Sequence, residues 1–316
     1  MALDHFVSQV HLKNFYSPDL HGQLYAIRKS DLKVFFPHAE DVCRIEEGST
    51  NNYLREPRAI EDFLKKIEPN YNKSMEMLIR GNVDQECIFT VAGFAAYIIT
   101  CSPAAMRLQA ANLGSMVGVQ MDWMDHNGEL PPLPPGVDRR KFHQGARKGV
   151  VEVVVDHKYP QAIGISNIHH FTSTFGNSSW DVIINDHKDN SFFTSDYPIT
   201  METSRDPRIR NRIVPLSPNL AVRFQPRWES RRANFDFTFQ GFNHRIIHPG
   251  LEEISRLNRK IVRAAETTVF FRDRLPWIDA FVAKNHRYRT ELCKRYGIVD
   301  GRMALLTSID VVQGNF

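Results

Sequence analysis

From Cys87 to Cys101 the chain runs fifteen residues without a charge, and no other stretch limits the fold so sharply. The run is too short to cross a bilayer comfortably. It reads as a helix buried on all sides, which obliges the rest of the chain to wrap it.

The flanks offer suitable partners. Pro57 stands where a first-turn proline belongs, and Ile60, Phe63, Leu64 and Ile67 recur after it at helical spacing. Pro69 interrupts that period and predicts a break just after Glu68. Ser102-Pro103 starts a further helix with Met106, Leu113, Val117 and Met121, a stripe expected to fill core gaps. A helix is also expected over Ile163 to Phe175, where His169 and His170 stand side by side. Pro249 opens another, with Leu251, Ile254, Leu257, Ile261, Ala265 and Val269 as its apolar stripe. A last helix is expected from about Trp277 to Tyr296, capped by Gly297.

Strand signals fall in two places. Leu24 to Ile27 and Val34 to Phe36 predict an N-terminal β-hairpin. Trp180 to Ile184 and Phe192 to Ser195 flank the polar run Asp186 to Asn190 and predict a second. Ile213-Val214, Leu220 to Phe224 and Phe235 to Phe239 are further strand candidates. The expected fold is α+β, largely helical, with an N-terminal β-hairpin and a central antiparallel sheet. One domain over residues 1–316 is expected, with a Pro-rich loop at 129–136 and a poorly ordered tail at 301–316.

Composition narrows the class. Hydrophobic residues at 42% and charged residues at 24% are ordinary for a globular protein. Four cysteines lie far apart without a C-x-x-C spacing, so neither a disulfide framework nor a zinc ribbon is indicated. His5 and Gln9 stand where a signal peptide needs an apolar run, and a cytoplasmic protein with reduced thiols is expected. The net charge of +4 divides unevenly. From Met201 onward 21 Lys and Arg oppose 12 Asp and Glu, whereas the first 200 residues hold 19 against 24. A basic C-terminal part suits a polyanionic partner, nucleic acid among them.

Standard reaction motifs are missing. There is no G-x-S-x-G elbow, no phosphate loop and no G-x-G-x-x-G turn, which argues against an ATPase, a kinase or a nicotinamide-dependent dehydrogenase. His169-His170 are adjacent and would point about 100° apart on a helix, a poor arrangement for one ion. A dispersed polar set remains. Asp4 is expected to cap a short helix on which His5, Gln9 and Leu12 share a face. Phe192-Phe-Thr-Ser-Asp-Tyr-Pro198 is a short aromatic strand running into a corner that carries Asp196. Taken alone, that corner reads as an Asx-type turn.

These residues resemble a known family. His5-Phe-Val-Ser-Gln9, followed by Leu12 and Phe15, is similar to the N-terminal His-Tyr-Val-Pro-Gln signature of the family called domain of unknown function 4238. Ser195-Asp196-Tyr197-Pro198 after a Phe-rich strand matches its second signature. Glu68, Trp180, Pro215-Leu-Ser-Pro218 and the helix with Leu257-Asn258 agree more loosely, so the likeness runs from His5 to about Phe271. Ser8 replaces the family's proline, and Thr100-Cys-Ser-Pro103 lacks the arginine of its Arg-Thr-Pro run. Some bacterial members are associated with phage defence, which implies a toxin-like or nucleic-acid-directed effector but no reaction.

Together these features suggest a hydrolytic site, with a phosphodiester as the expected substrate. His5 would serve as acid or base, Gln9 as the positioning group, Asp196 as orienter or metal ligand, and Glu68 as a further carboxylate. Arg256, Arg259, Lys260 and Arg263 would bind the polyanion. The cofactor is left open, with Mg2+ or Mn2+ as candidates. The alternative is a non-catalytic nucleic-acid-binding or structural protein in which His5 and Asp196 pair to fasten the fold.

Overall fold

Because the uncharged run cannot meet water, the layers assemble around it. A computed structural model of the chain describes residues 3–129, 132, 135–136, 138, 154–204, 206, 209–227, 234–299 and 302–314. β1 (Leu3–His5) leads into α1 (Gln9–Lys13), then β2 (Tyr25–Arg28), β3 (Val34–Phe35) and β4 (Arg44–Glu46). Next come α2 (Ala59–Ile67), a 3-10 turn at Glu68–Asn70, α3 (Tyr71–Arg80), α4 (Gln85–Cys101) and α5 (Pro103–His126). α6 (Lys158–Ser166) and α7 (Ile168–Gly176) precede β5 (Ser179–Ile184), β6 (Thr194–Ser195) and β7 (Thr200–Thr203). β8 (Arg210–Ser217), β9 (Leu220–Gln225) and β10 (Asn243–Ile247) follow. The remaining elements are α8 (Leu251–Ala264), β11 (Thr268–Phe271), α9 (Ile278–Asn285), β12 (Tyr288–Val299) and β13 (Arg302–Gln313).

α4 is the expected central helix. Asp84 caps it by accepting from the Cys87 amide, and Ala92, Ala95, Ala96 and Ile98 are fully buried. A Cβ at Gly93 would sit 3.1 Å from Phe63 and from Ile67, so a glycine is what lets α2 lie so close. Burying Phe94 there stabilises by about 1.5–3 kcal/mol. Pro69 breaks the helical block at Glu68 as the sequence predicts, and Ser102 caps α5 through the Ala105 amide.

Two sheets complete the architecture, which is α+β. One is five-stranded, in the order β10-β5-β9-β8-β7, antiparallel except for the β10–β5 pair. Period-two alternation divides its faces. Trp180, Val182, Val214 and Phe224 join the core around α4, while Ile183, Ile213 and Ala221 join a second core with Ile254, Leu257 and Ile261 of α8. The other sheet, β3-β2-β11-β6, contains the predicted N-terminal hairpin. Among the described residues no single helix is long and apolar enough to cross a membrane.

Several expectations fail for identifiable reasons. Leu3–His5 is a strand paired with Arg44–Glu46, so Asp4 caps no helix; its carboxylate accepts from the Ser49 amide at 3.0 Å. The second predicted hairpin does not form. β5 pairs with β9 and β10, whereas β6 pairs with β11 in the other sheet. The Asn185 amide holds the Asn190 carbonyl at 2.9 Å and turns the chain out of the first sheet. Phe235 to Phe239 is a series of bends whose rings cluster on Phe89 and His169. Asn167 divides the helix expected over 163–175 into α6 and α7. Met106 is buried, but Val117 is 43% exposed, so the methionine stripe is core only at its start. Leu251 is exposed, and Val269 belongs to β11.

The expected last helix stops at Asn285, and Tyr288–Val299 pairs with Arg302–Gln313 along its full length. Gly297 is therefore no helix cap; it sits within the long hairpin opposite Ala304. Arg302–Gln313 is thus a strand where a loose tail was expected. Most of the Pro-rich run 129–136 lies outside the described residues.

His11 ties the layers together. Its Nδ1 lies 2.7 Å from the Tyr71 hydroxyl, and its Nε2 lies 2.7 Å from Thr194 Oγ1. Tyr71 donates onward to the Leu216 carbonyl, which makes it the acceptor for an Nδ1 proton. One neutral tautomer therefore satisfies α1, α3, β6 and β8 together. Burial drives the His11 pKa down to about 3. A folded pKa below the unfolded value near 6.5 stabilises fully above that value and loses the contribution as pH falls toward 3. Urea unfolding at pH 7 and pH 5 should show a loss of about 2 kcal/mol from this group. His11→Gln should remove that share of the slope; an unchanged slope would contradict the assignment.

Candidate functional site

The ribbon β1–β4, the start of α1 and the break after α2 converge on an open cleft of about 430 Å³. His5, Ser8, Gln9 and Glu68 line it, with Asp4 and Glu61 at its sides. His5 ends β1, and its carbonyl accepts a 2.6 Å bond from the buried Tyr97 of α4, so the core helix fixes this residue's backbone. Gln9 Nε2 lies 2.8 Å from His5 Nε2. An amide nitrogen can only donate, so His5 Nε2 accepts and the ring proton resides on Nδ1. Nδ1 is buried and has no well-aligned partner; the Val42 backbone favours its proton from a looser geometry. Burial lowers the His5 pKa, and Arg44 adds to the fall against Val42, Asp4 and Glu40. The imidazole is therefore held in its basic, uncharged form at neutral pH.

Beside it, buried Ser8 donates to Glu68 Oε1 at 2.5 Å. Glu68 reaches this position because Pro69 tightens the chain into a 3-10 turn there. His5, Gln9 and Glu68, predicted from separate signals, are thus brought to one cleft. Ser8 completes the group and was overlooked, although its replacement of proline inside the motif marked it as unusual.

Asp196 lies elsewhere. It is 6% exposed and accepts from the backbone amides of Glu266 (2.9 Å), Thr267 (2.7 Å) and Thr268 (3.1 Å), and from Thr267 Oγ1 (2.6 Å). Burial pushes its pKa up, opposed by the Thr267 bonds and by the Lys29 charge. This carboxylate clasps the turn between α8 and β11 and does not line the cleft. It is not a local Asx turn either; Ser195 Oγ takes the nearby Tyr197 amide. The expected pairing of His5 with Asp196 is not formed, since each has its own partners.

The basic face of α8 is largely committed inside the chain. Arg256 bonds Glu253 and Glu202, and Arg223 joins the same two carboxylates to Asp181, which also holds Arg245. Arg263 donates to Asn285 Oδ1 at 2.7 Å and lies 4.0 Å over the Tyr288 ring. Burial lowers the pKa of Lys260. Of the four residues expected to bind a polyanion, Arg259 is exposed. Among the described residues no group of three or more His, Cys, Asp or Glu is placed to hold a metal ion.

Fold and cleft together define an α+β protein with an open site of imidazole, carboxamide, hydroxyl and carboxylate. The chain belongs to the family described as Protein of unknown function (DUF4238), whose model matches residues 4–274. No curated protein and no solved structure matches it.

The contrast between the two signatures is measurable by denaturant unfolding. Asp196→Ala strands four donors and should cost about 3–5 kcal/mol. His5→Ala, at a half-exposed position, should cost about 1 kcal/mol or less. Equal costs would mean that the His5 cleft is as much a fastening as Asp196.

Proposed function

We propose that the protein is a hydrolase whose acid–base group is His5. The observation that carries this reading is an uncharged imidazole in an open cleft beside a carboxamide and a hydroxyl–carboxylate pair. Gln9 occupies the lone pair that would take a proton. On substrate binding its amide turns to the attacking water or the scissile group, and His5 Nε2 becomes the base. Ser8 and Glu68 stand beside them, the serine hydroxyl fixing a carboxylate that would accept a hydrogen bond from the substrate.

The cleft's own carboxylates, Asp4, Glu61 and Glu68, outnumber the cation Lys65 on its lining and favour an uncharged ester or amide. A phosphodiester or nucleic-acid substrate is the second reading. It is favoured by another cleft of about 560 Å³, between the 266–268 turn and the C-terminal hairpin, which presents Arg28, His286, Arg287 and Arg289. A nucleic-acid-directed effector would use that surface. The unpaired cysteines suit a reducing, cytoplasmic setting.

Purified protein should be assayed against p-nitrophenyl esters, peptides, RNA and DNA, the nucleic acids with and without Mg2+ or Mn2+. His5→Ala and Glu68→Gln should each lower turnover at least 100-fold while remaining folded. Turnover unchanged in both variants would overturn the site. Binding of RNA or DNA that falls steeply with salt, without cleavage, would identify a binding protein instead.

A further inference from the structure

The cleft between the 266–268 turn and the C-terminal hairpin is built from three separate segments around about 560 Å³, room enough for a small ligand. Lys29 and Ser30 reach it from the turn after β2, Thr268 from the turn that Asp196 clasps, and His286, Arg287 and Arg289 from the junction of α9 with β12. Lys29 is part of the lining although only 5% exposed. Its ammonium donates to the Ala265 carbonyl at 2.5 Å and the Tyr288 carbonyl at 2.6 Å, which uses two of its three N–H bonds. The third has no partner among the described residues.

Other groups of the lining are also left over. His286 Nδ1 lies 2.8 Å from the Lys29 carbonyl oxygen, so the ring proton resides there and Nε2 is not used. The Ser30 hydroxyl and the Arg287 guanidinium have no partner among the described residues. The carboxylates within reach are already shared. Glu266 and Glu291 each bond Arg107 at 2.8 Å, and they also meet Arg289 at 3.8 and 2.5 Å. Asp196 is held by the 266–268 turn, and Arg28 is paired with Asp31 at 3.3 Å. Lys29 bonds only carbonyls, which solvate its charge without neutralising it. No carboxylate among the described residues answers Arg287.

We propose that this cleft binds the phosphoryl group of a small phosphomonoester, a nucleotide being of a size that its volume suits. A phosphoryl dianion brings three terminal oxygens, enough to meet the Arg287 fork, the Ser30 hydroxyl and the third N–H of Lys29 together. A carboxylate brings a single charge and two oxygens. Each phosphate within a nucleic-acid strand likewise has one charge and two free oxygens, so a strand matches the unused donors less well. Lys29 and Ser30 lie inside the family-matched residues 4–274, and His286 and Arg287 lie beyond them, so the ligand would bridge the two parts. The site shares no residue with the His5 cleft.

Thermal unfolding with inorganic phosphate, adenosine monophosphate, acetate or a short RNA lacking terminal phosphates, at ionic strength held constant with KCl, tests it. Wild type at saturating phosphate or adenosine monophosphate should gain about 3 °C in Tm. Arg287→Gln should weaken the apparent affinity for either about 10-fold, and Ser30→Ala about 3-fold. Both positions are exposed, so both variants should fold. Lys13→Gln, which removes an exposed cation on α1 outside the cleft, should respond as wild type does. No response to either phosphate probe, a response to acetate alone or to RNA alone, an undiminished response in Arg287→Gln, or its loss in Lys13→Gln would overturn the proposal. None of these outcomes depends on turnover at His5, so the two sites stand or fall separately.

Discussion

One buried carboxylate governs how the two sheets meet. Asp196 gathers the amides of three successive residues and one hydroxyl, an arrangement suited to an ionised group that can only accept. The turn it gathers is where α8 hands the chain to β11, so the second core and the four-stranded sheet are both referred to a single side chain. Lys29 stands on the other side, its Nζ bonded to the Ala265 carbonyl at 2.5 Å and the Tyr288 carbonyl at 2.6 Å. Burial brings that lysine's pKa down to about 8, with Asp196 and Glu266 resisting the fall. A negative and a positive group thus brace the same backbone, neither with an apolar substitute that would serve.

The site rests on a different division of labour. α4 carries no group of the cleft itself, yet its buried Tyr97 hydroxyl holds the His5 carbonyl. The ribbon β1–β4 and the Pro69 turn then need only place polar tips on that rigid backing. What distinguishes His5 from His11, six residues apart, is solely where the backing puts them. His11 is sealed with both nitrogens bonded, and His5 keeps an edge on solvent.

Much of this was legible in the sequence where a pattern is local. The uncharged run, the Pro69 break, the Ser102 cap and the hairpin β2–β3 follow from spacing and turn chemistry within a few residues. Meeting of His5 with Gln9 was also foreseen, although through a helix that does not exist; the strand β1 and the helix start at Gln9 happen to give the same proximity. Asp196 was placed wrongly because nothing near it in the chain shows that residues 266–268 will arrive with unsatisfied amides. The Arg256 and Arg263 side chains failed for the same reason. A basic helical face looks solvated until the partner strand brings Glu202 or the next helix brings Asn285. Long-range pairing decides such cases, and composition does not record it.

The family match ends at residue 274, before α9 and the hairpin β12–β13. That later part is nevertheless wired into the earlier one. Lys29 takes one of its two acceptors from Tyr288, and Arg107 takes Glu291 and the Thr290 carbonyl alongside Glu266. A polypeptide cut at the family boundary would keep both cations and lose half of the acceptors they bond. The C-terminal hairpin is thus a keystone laid last, and any module swapped into its place must bring acceptors to the same two points.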